Sequence, residues 1–325
     1  MNNAIIGEKD GNVNSSEGVC AFLDPLFYGT FQLDMSSARL IIIFLVLAVW
    51  TFNAGCISSE KIVAEKAPAL FGDVAGSASR QSDIVLVRQG IPSYLMLIDG
   101  MLQSYPQNRD LLLAGAQAYA AYASVLDEDE QDRAAGLNDR AKQYALRALE
   151  LTPPFKDSLG KPLEVFQERL GKADQKQVPV LFWVGNIWAG WIASSPEGAA
   201  AMADLPWVEA LMERVLELDP GFYYGGPHLF KAILLSARPE QFGGNLKQAR
   251  EHFRKALDYG KGKFLMTDVY YAEYYARQTL DRGLFVSTLK RVLETPAHAE
   301  PELTLANTLA QRKARKLLER VDEFF

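Results

Sequence analysis

The sequence contains few residues of the kinds that bind metals or form disulfides. Its 325 residues include two cysteines, Cys20 and Cys56, and three histidines, His228, His252 and His298. Two cysteines provide no disulfide framework, and no histidine is spaced from another histidine or a cysteine as metal ligands usually are. We therefore expect no metal site and no cofactor, and we expect His252 to lie on a solvated helix face.

Catalytic and phosphate-binding motifs are also missing. No glycine loop precedes a Lys-Ser/Thr pair, and no nucleophile elbow occurs. The acidic run 127–132 fits a solvated loop or a helix N-terminus, where carboxylates complement the helix dipole. The net charge is −6 and no long basic stretch is present, which argues against a nucleic-acid partner. These observations predict a protein that is not an enzyme.

The N-terminal region has the pattern of an export signal. Eleven apolar residues, Leu40 to Trp50, follow Arg39; a bilayer span needs about 20, so the run suits a signal peptide instead. Ala54-Gly55-Cys56 resembles the lipobox of bacterial lipoproteins, although Asn53 departs from the aliphatic residue usual there. That resemblance implies a diacylglycerol and acyl anchor on the Cys56 thiol. The alternative is a buried helix followed by an ordinary buried cysteine.

The position of this signal divides the chain. Met35 begins a compact signal peptide, whereas the acidic residues before it have no role in export, so we expect translation to start there. Two acyl chains anchor a protein durably, because each buried CH₂ contributes about 0.8 kcal/mol. The residue after the cysteine is Ile57 and not the aspartate that would favour retention in the inner membrane. Its identity weakly favours a location in the outer membrane. The predicted segments are a non-native upstream extension (1–34), a lipoprotein signal peptide (35–55), a lipidated N-terminus with a linker and short helix (56–80) and a helical domain (81–325).

The mature chain has helical periodicity almost throughout and scarcely any two-residue alternation, which predicts an all-α fold. Residues 141–153 and 208–220 align at an offset of 67, and both end in Leu-Glu-Leu-x-Pro. That offset is about two tetratricopeptide units of 34 residues. We expect stacked antiparallel helix pairs, as degenerate tetratricopeptide-like repeats in one compact, closed domain. The predicted helices are 82–104, 108–126, 131–151, 162–171, 178–194, 205–218, 226–237, 245–259, 267–281, 283–294 and 301–323.

Three stretches are candidates for binding. Residues 178–196 carry no charge; prolines and glycines argue against a membrane span and favour a helix buried on all sides. A Tyr-Tyr-Gly-Gly-Pro-His stretch precedes a second helix. Two pairs of tyrosines, with i,i+4 spacing, lie on a third helix. Core packing or a tight connector is the alternative for each. The candidate cavity residues are Trp183, Asn186, Trp188, Trp191, Tyr223, Tyr224, His228 and Lys231, and the candidate partner contacts are Tyr270, Tyr271, Tyr274 and Tyr275.

Two of these segments, 179–192 (PVLFWVGNIWAGWI) and 223–257 with its Gly-Gly-Pro-His stretch, carry a family resemblance. Together with the lipid signal, they resemble the T component of tripartite ATP-independent periplasmic (TRAP) transporter systems, the TatT family of tetratricopeptide-like lipoproteins. The resemblance covers roughly residues 40–320. It implies a helical periplasmic lipoprotein that associates with a periplasmic solute-binding protein, a homotrimeric architecture and a cavity that receives a hydrophobic ligand.

The resulting hypothesis is a lipid-anchored, periplasm-facing component of a TRAP-type uptake system. It would bind the solute-binding protein and a hydrophobic ligand. The alternative is a tetratricopeptide lipoprotein that acts as an envelope assembly scaffold with no small ligand.

Overall fold

The computed structural model describes residues 59–195 and 198–325, together with Ile42 and Phe44. The predicted signal peptide and Cys56 lie outside the described residues. No strand occurs among the residues that are described, and residues 59–325 form one compact unit. The all-α class and the compact helical domain are therefore confirmed, whereas the tetratricopeptide-like repeat remains a prediction. The helices are α1 (Ser59–Ser79), α2 (Ile84–Ser104), α3 (Arg109–Val125), α4 (Gln131–Glu150), α5 (Leu163–Gly171), α6 (Val178–Ser194), α7 (Ala199–Met202), α8 (Leu205–Leu218), α9 (Phe222–Ala237), α10 (Leu246–Gly260), α11 (Met266–Tyr270), α12 (Arg282–Glu294), α13 (Thr304–Glu319) and α14 (Val321–Phe324).

Local sequence signals explain where several helices begin. The side chains of Asp83, Asn108, Asn245 and Asp281 each accept a hydrogen bond from a backbone N–H in the first turn of the helix that follows. Such N-caps satisfy donors that have no partner inside the helix. The caps account for the close agreement between the predicted and observed starts of α2, α3, α10 and α12.

Helix α1 is longer than the short helix and linker expected in this segment, since it spans 21 residues. Ala67 and Phe71 on it are buried in the main core. The hydroxyl of Tyr94 on α2 donates to the backbone oxygen of Phe71 over 2.8 Å, and the two rings meet edge to face at 5.4 Å. Helix α1 therefore packs as part of the domain.

Helix α6 contains the charge-free stretch and lies inside the domain. It packs against α4 on one side and α8 on another, and Leu181 and Val184 are fully buried. Burial on several sides explains why apolar residues surround most of the helix. None of the helices in the described part of the chain is long and apolar enough to cross a membrane.

The two ends of the described domain meet. Helix α13 packs against both α1 and α2. Arg312 and Lys316 on α13 form ion pairs with Asp127 (3.4 Å) and Glu128 (2.9 Å), within the acidic run. Asp127 also caps the first turn of this run. Of the two predicted alternatives, the run therefore forms a helix N-terminus. It also binds α13, so the two ends of the domain contact each other.

Candidate functional site

Three consecutive residues with left-handed backbone angles interrupt the start of α9. Tyr223, Tyr224 and Gly225 have φ angles of 44°, 58° and 78°. Glycine adopts such angles freely, but each tyrosine there costs roughly 1–2 kcal/mol. Regular helix resumes near Pro227, whose fixed φ suits a first turn. Because strain of this kind persists only where the surroundings enforce it, and often at functional sites, we take this turn as the centre of the candidate site.

Two glycines allow the turn to approach its neighbours closely. A Cβ on Gly225 would lie 2.9 Å from the Cα of Ala256 on α10. A Cβ on Gly226 would lie 2.5 Å from ring carbons of Phe182 on α6. The first contact involves backbone, which cannot move aside easily. The Gly-Gly pair therefore places the start of α9 directly against both α6 and α10.

An aromatic cluster surrounds the turn. The Trp183 and Tyr223 rings lie 4.8 Å apart, and the Tyr223 ring lies 5.7 Å from that of Phe264. Both contacts are edge to face, an arrangement that contributes about 0.5–1.5 kcal/mol beyond area burial. Burial raises the pKa of the Tyr223 hydroxyl, so this side chain is neutral at physiological pH. The aromatic cluster consists of Phe182, Trp183, Phe222, Tyr223, Tyr224 and Phe264.

His228, one turn farther along α9, pairs with His252 of α10. The Nδ1 atoms of His228 and His252 are 2.9 Å apart, and Tyr259 stacks on His228 with ring centres 5.7 Å apart. One Nδ1–H must donate and the other nitrogen must accept. Burial, followed by the nearby His252 and Lys255, lowers the pKa of His228 from 6.5 to about 4. His252 is half-buried, so its predicted place on a solvated face is wrong.

Two other candidate residues of α6, Trp188 and Trp191, lie in a second cluster. The Trp188 Nε1–H donates to Asp204 over 2.8 Å, and Lys142 Nζ lies 2.7 Å from the same Asp204 oxygen. Lys142 Nζ also lies 3.2 Å from the centre of the Trp191 ring. This geometry combines an ion pair with a cation–π contact. Trp188 and Trp191 are therefore separated from the aromatic cluster, and Asn186 is exposed.

Lys231 follows His228 by three residues on α9. Its ammonium forms an ion pair of 2.6 Å with Glu213 on α8. The predicted role of Lys231, which is to bind an acidic head group, would require this pair to open. The cavity that these residues were expected to line remains a prediction.

The four tyrosines that follow α10 form two ring pairs. Tyr270 and Tyr274 meet edge to face at 5.8 Å, while Tyr271 and Tyr275 stack at 5.1 Å with a 12° angle between planes. Residues Tyr271–Ala276 form a π-helical turn, a rare geometry that is frequent at functional sites. Burial raises the pKa of Tyr270 to about 12. All four side chains are half-buried.

Comparison with known proteins identifies the family. A family model described as TRAP transporter T-component matches residues 80–325, more than half of the chain. The chain belongs to the TRAP transporter T-component family. A protein of Treponema pallidum (strain Nichols), described as an uncharacterized protein, is 28% identical over 269 residues, which cover 76% of this chain and 82% of that protein. Membership confirms the resemblance found in the sequence and makes the chain a component of TRAP-type transport.

Among the described residues, one group of carboxylates is close enough together to suggest a cation site. Oxygen atoms of Asp127, Asp129 and Glu130 lie within 4.8 Å of one another. However, Arg88 forms ion pairs with both Asp127 and Glu130. A guanidinium already neutralises two of these carboxylates, and Asp127 also pairs with Arg312 of α13, so these contacts act in the closure of the domain.

A basic groove on α10 was not recognised in the sequence. This open groove of about 530 Å³ is lined by Lys247, Arg250, Glu251, Arg254, Leu257 and Tyr271. A signal for it was present, because Arg250 and Arg254 are one helical turn apart and like charges at that spacing destabilise a helix. The site residues thus gather in three places: the aromatic cluster with the histidine pair, the Trp188–Lys142 cluster, and the groove beside Tyr271.

Proposed function

We propose that this chain is a non-enzymatic, lipid-anchored component of a TRAP-type uptake system, facing the periplasm and binding the system's solute-binding protein. The observation that carries the transport role is the family match over residues 80–325. An all-helical domain with a closed core supports a binding role, because it offers a rigid surface on which a partner can dock. The experiment is a pulldown of the full-length protein from detergent extracts of crosslinked cells.

Recovery of the solute-binding protein from such cells supports the proposal. Its reproducible absence under crosslinking contradicts it. Recovery of envelope assembly proteins alone would favour a scaffold with no role in uptake.

The proposed anchor is the thiol of Cys56. This residue is three positions before the first residue of α1, so a lipid on it would hold the helical domain close to the membrane surface. Growth with a labelled fatty acid is expected to label the natural protein, and Cys56→Ser is expected to abolish the label and release the protein on alkaline washing. A Cys56→Ser protein that stays with the membrane would contradict the anchor. Density separation of the two membranes tests the expected outer-membrane location.

The aromatic cluster supports the further proposal that this component accepts a hydrophobic ligand. It combines large apolar ring surfaces with the polar tips of Trp183, Tyr223 and Tyr224, a composition that suits an amphiphile. Native mass spectrometry of the full-length protein, purified in mild detergent, is expected to show a co-purifying lipid or fatty acid and a trimeric assembly. Trp183→Ala is expected to reduce ligand occupancy, whereas Trp191→Ala, in the other cluster of α6, is the matched control. Protein without ligand in every preparation would contradict ligand binding.

A further inference from the structure

The basic groove on α10 carries a local excess of positive charge in an acidic protein. Lys247, Arg250 and Arg254 are exposed along one face of the helix, and Glu251 is the acidic residue that lines the groove with them. None of the three bases forms an ion pair with any described residue. The whole chain has a net charge of −6. The groove is therefore a positive patch that opposes the overall charge.

Several other bases of the described chain are paired with acids. Arg88 and Arg312 share Asp127, and Arg238 pairs with Glu209. By contrast, Arg250 and Arg254 are placed one turn apart, where two like charges destabilise the helix that bears them. Neither arginine forms an ion pair within the described domain that would offset this repulsion. A negatively charged partner outside the chain would compensate for it.

The lining of the groove also contains an aromatic ring, that of Tyr271. This ring stacks on Tyr275 within the π-helical turn, and its centre lies 5.2 Å from that of the buried Phe253 ring on α10. Arg250 lies beside the Tyr271 hydroxyl, although burial still raises the pKa of that hydroxyl. Arginine and tyrosine are among the residue types that are enriched at protein–protein contacts. The groove thus unites charge and a rigid aromatic surface.

We propose that this groove is the docking surface for an acidic segment of the solute-binding protein; the proposal rests on the function proposed above. A small anion is the weaker alternative occupant. Small-molecule sites enclose most of their ligand, whereas this groove is open and its three bases are exposed. A protein surface that carries carboxylates would cover the groove, neutralise the two arginines through bidentate pairs and pack against Tyr271.

The test measures binding of the purified solute-binding protein of the same transport system to the full-length chain by biolayer interferometry. Arg250→Glu with Arg254→Glu is expected to weaken binding at least tenfold, and wild-type affinity is expected to fall as salt rises. The matched control is Lys290→Glu with Arg315→Glu, which makes the same charge change at two exposed bases that lack ion pairs. The control is expected to change affinity less than twofold. Circular dichroism and thermal melting verify that each variant folds, and Arg250→Gln with Arg254→Gln repeats the test without added acids.

Each other outcome overturns the docking surface. Unchanged binding by the groove variant refutes it and leaves the proposed function intact. Equal loss in the groove variant and the control shows that overall charge, rather than the groove, determines binding. Citrate binding that depends on Arg250 and Arg254, with unchanged receptor binding, assigns the groove to a small anion. A wild-type chain that does not bind the receptor removes both proposals together.

Discussion

We expect the folded protein to lose stability as the pH falls from 6.5 towards 4, because His228 resists protonation in the folded state. Its side chain is 5% exposed, and burial lowers its pKa from 6.5 to about 4. His252 and Lys255 add repulsion to a proton on His228. Below pH 6.5 the unfolded chain takes up a proton at this position that the folded chain does not. Protons therefore favour the unfolded state, and the stability is fully present only above pH 6.5.

The magnitude follows from the two pKa values. With one group at 6.5 unfolded and about 4 folded, the loss is about 1.4 kcal/mol at pH 5.5 and about 2.5 kcal/mol at pH 4.5. Near pH 4.5, carboxylates also contribute to the change in stability. For example, the hydrogen bond from Lys316 lowers the pKa of Glu128. The range from pH 7.5 to 5.5 therefore isolates the histidine contribution best.

The variant His228→Asn removes the titration while it keeps a polar atom near the position of Nδ1. His298, which is exposed, provides the control His298→Asn. Urea unfolding, followed by circular dichroism at pH 7.5, 6.5 and 5.5, gives the free energy of unfolding of each protein. Wild type and the His298 control are expected to lose over 1 kcal/mol more than His228→Asn between pH 7.5 and 5.5. Parallel pH profiles for wild type and His228→Asn would refute the assignment of a depressed pKa to a buried His228.

Three further predictions concern the free energy of unfolding in urea at pH 7.5. Gly225→Ala is expected to cost about 2 kcal/mol or more, because of its positive φ and the nearby backbone of α10. Gly136→Ala, at an exposed position of α4 with open space around it, is expected to stabilise by about 0.4–1 kcal/mol; equal effects would contradict the packing of the turn. Trp188→Phe loses the hydrogen bond to Asp204 and is expected to cost about 1 kcal/mol, and Trp188→Ala about 3–5 kcal/mol; a negligible cost for both would show that Trp188 is not core. The buried side chain of Asn307 on α13 accepts a hydrogen bond from the N–H of Leu265 and donates to the backbone oxygens of Lys263 and Ala297. Asn307→Ala removes all three hydrogen bonds and is expected to cost about 2–3 kcal/mol; a loss under 0.5 kcal/mol would contradict that role.

The starts of the helices were accessible from the sequence because their causes are local. Asp83, Asn108 and Asn245 cap helices within three residues of themselves, and apolar periodicity marks which face of each helix is buried. The degeneracy of the repeats, with long interruptions between them, indicated a compact and closed domain. The sequence underestimated the length of helix α1, because Gly72 and Gly76 lower the helical propensity of this segment. Contacts of Phe71 with residues distant in sequence stabilise the helix.

The candidate site depended on contacts between residues far apart in the chain. Local sequence shows that Gly225 tolerates a positive φ, but it does not show that Tyr223 and Tyr224 are forced into the same region by the packing of α9 against α6 and α10. His228 and His252 are separated by 24 residues, so no spacing rule brings their rings together. Residue type and periodicity determined the helices, and the resemblance carried by residues 179–192 and 223–257 indicated the family. Only the packing of helices distant in sequence decided which rings, charges and backbone groups share a site, because those contacts depend on the whole folded core.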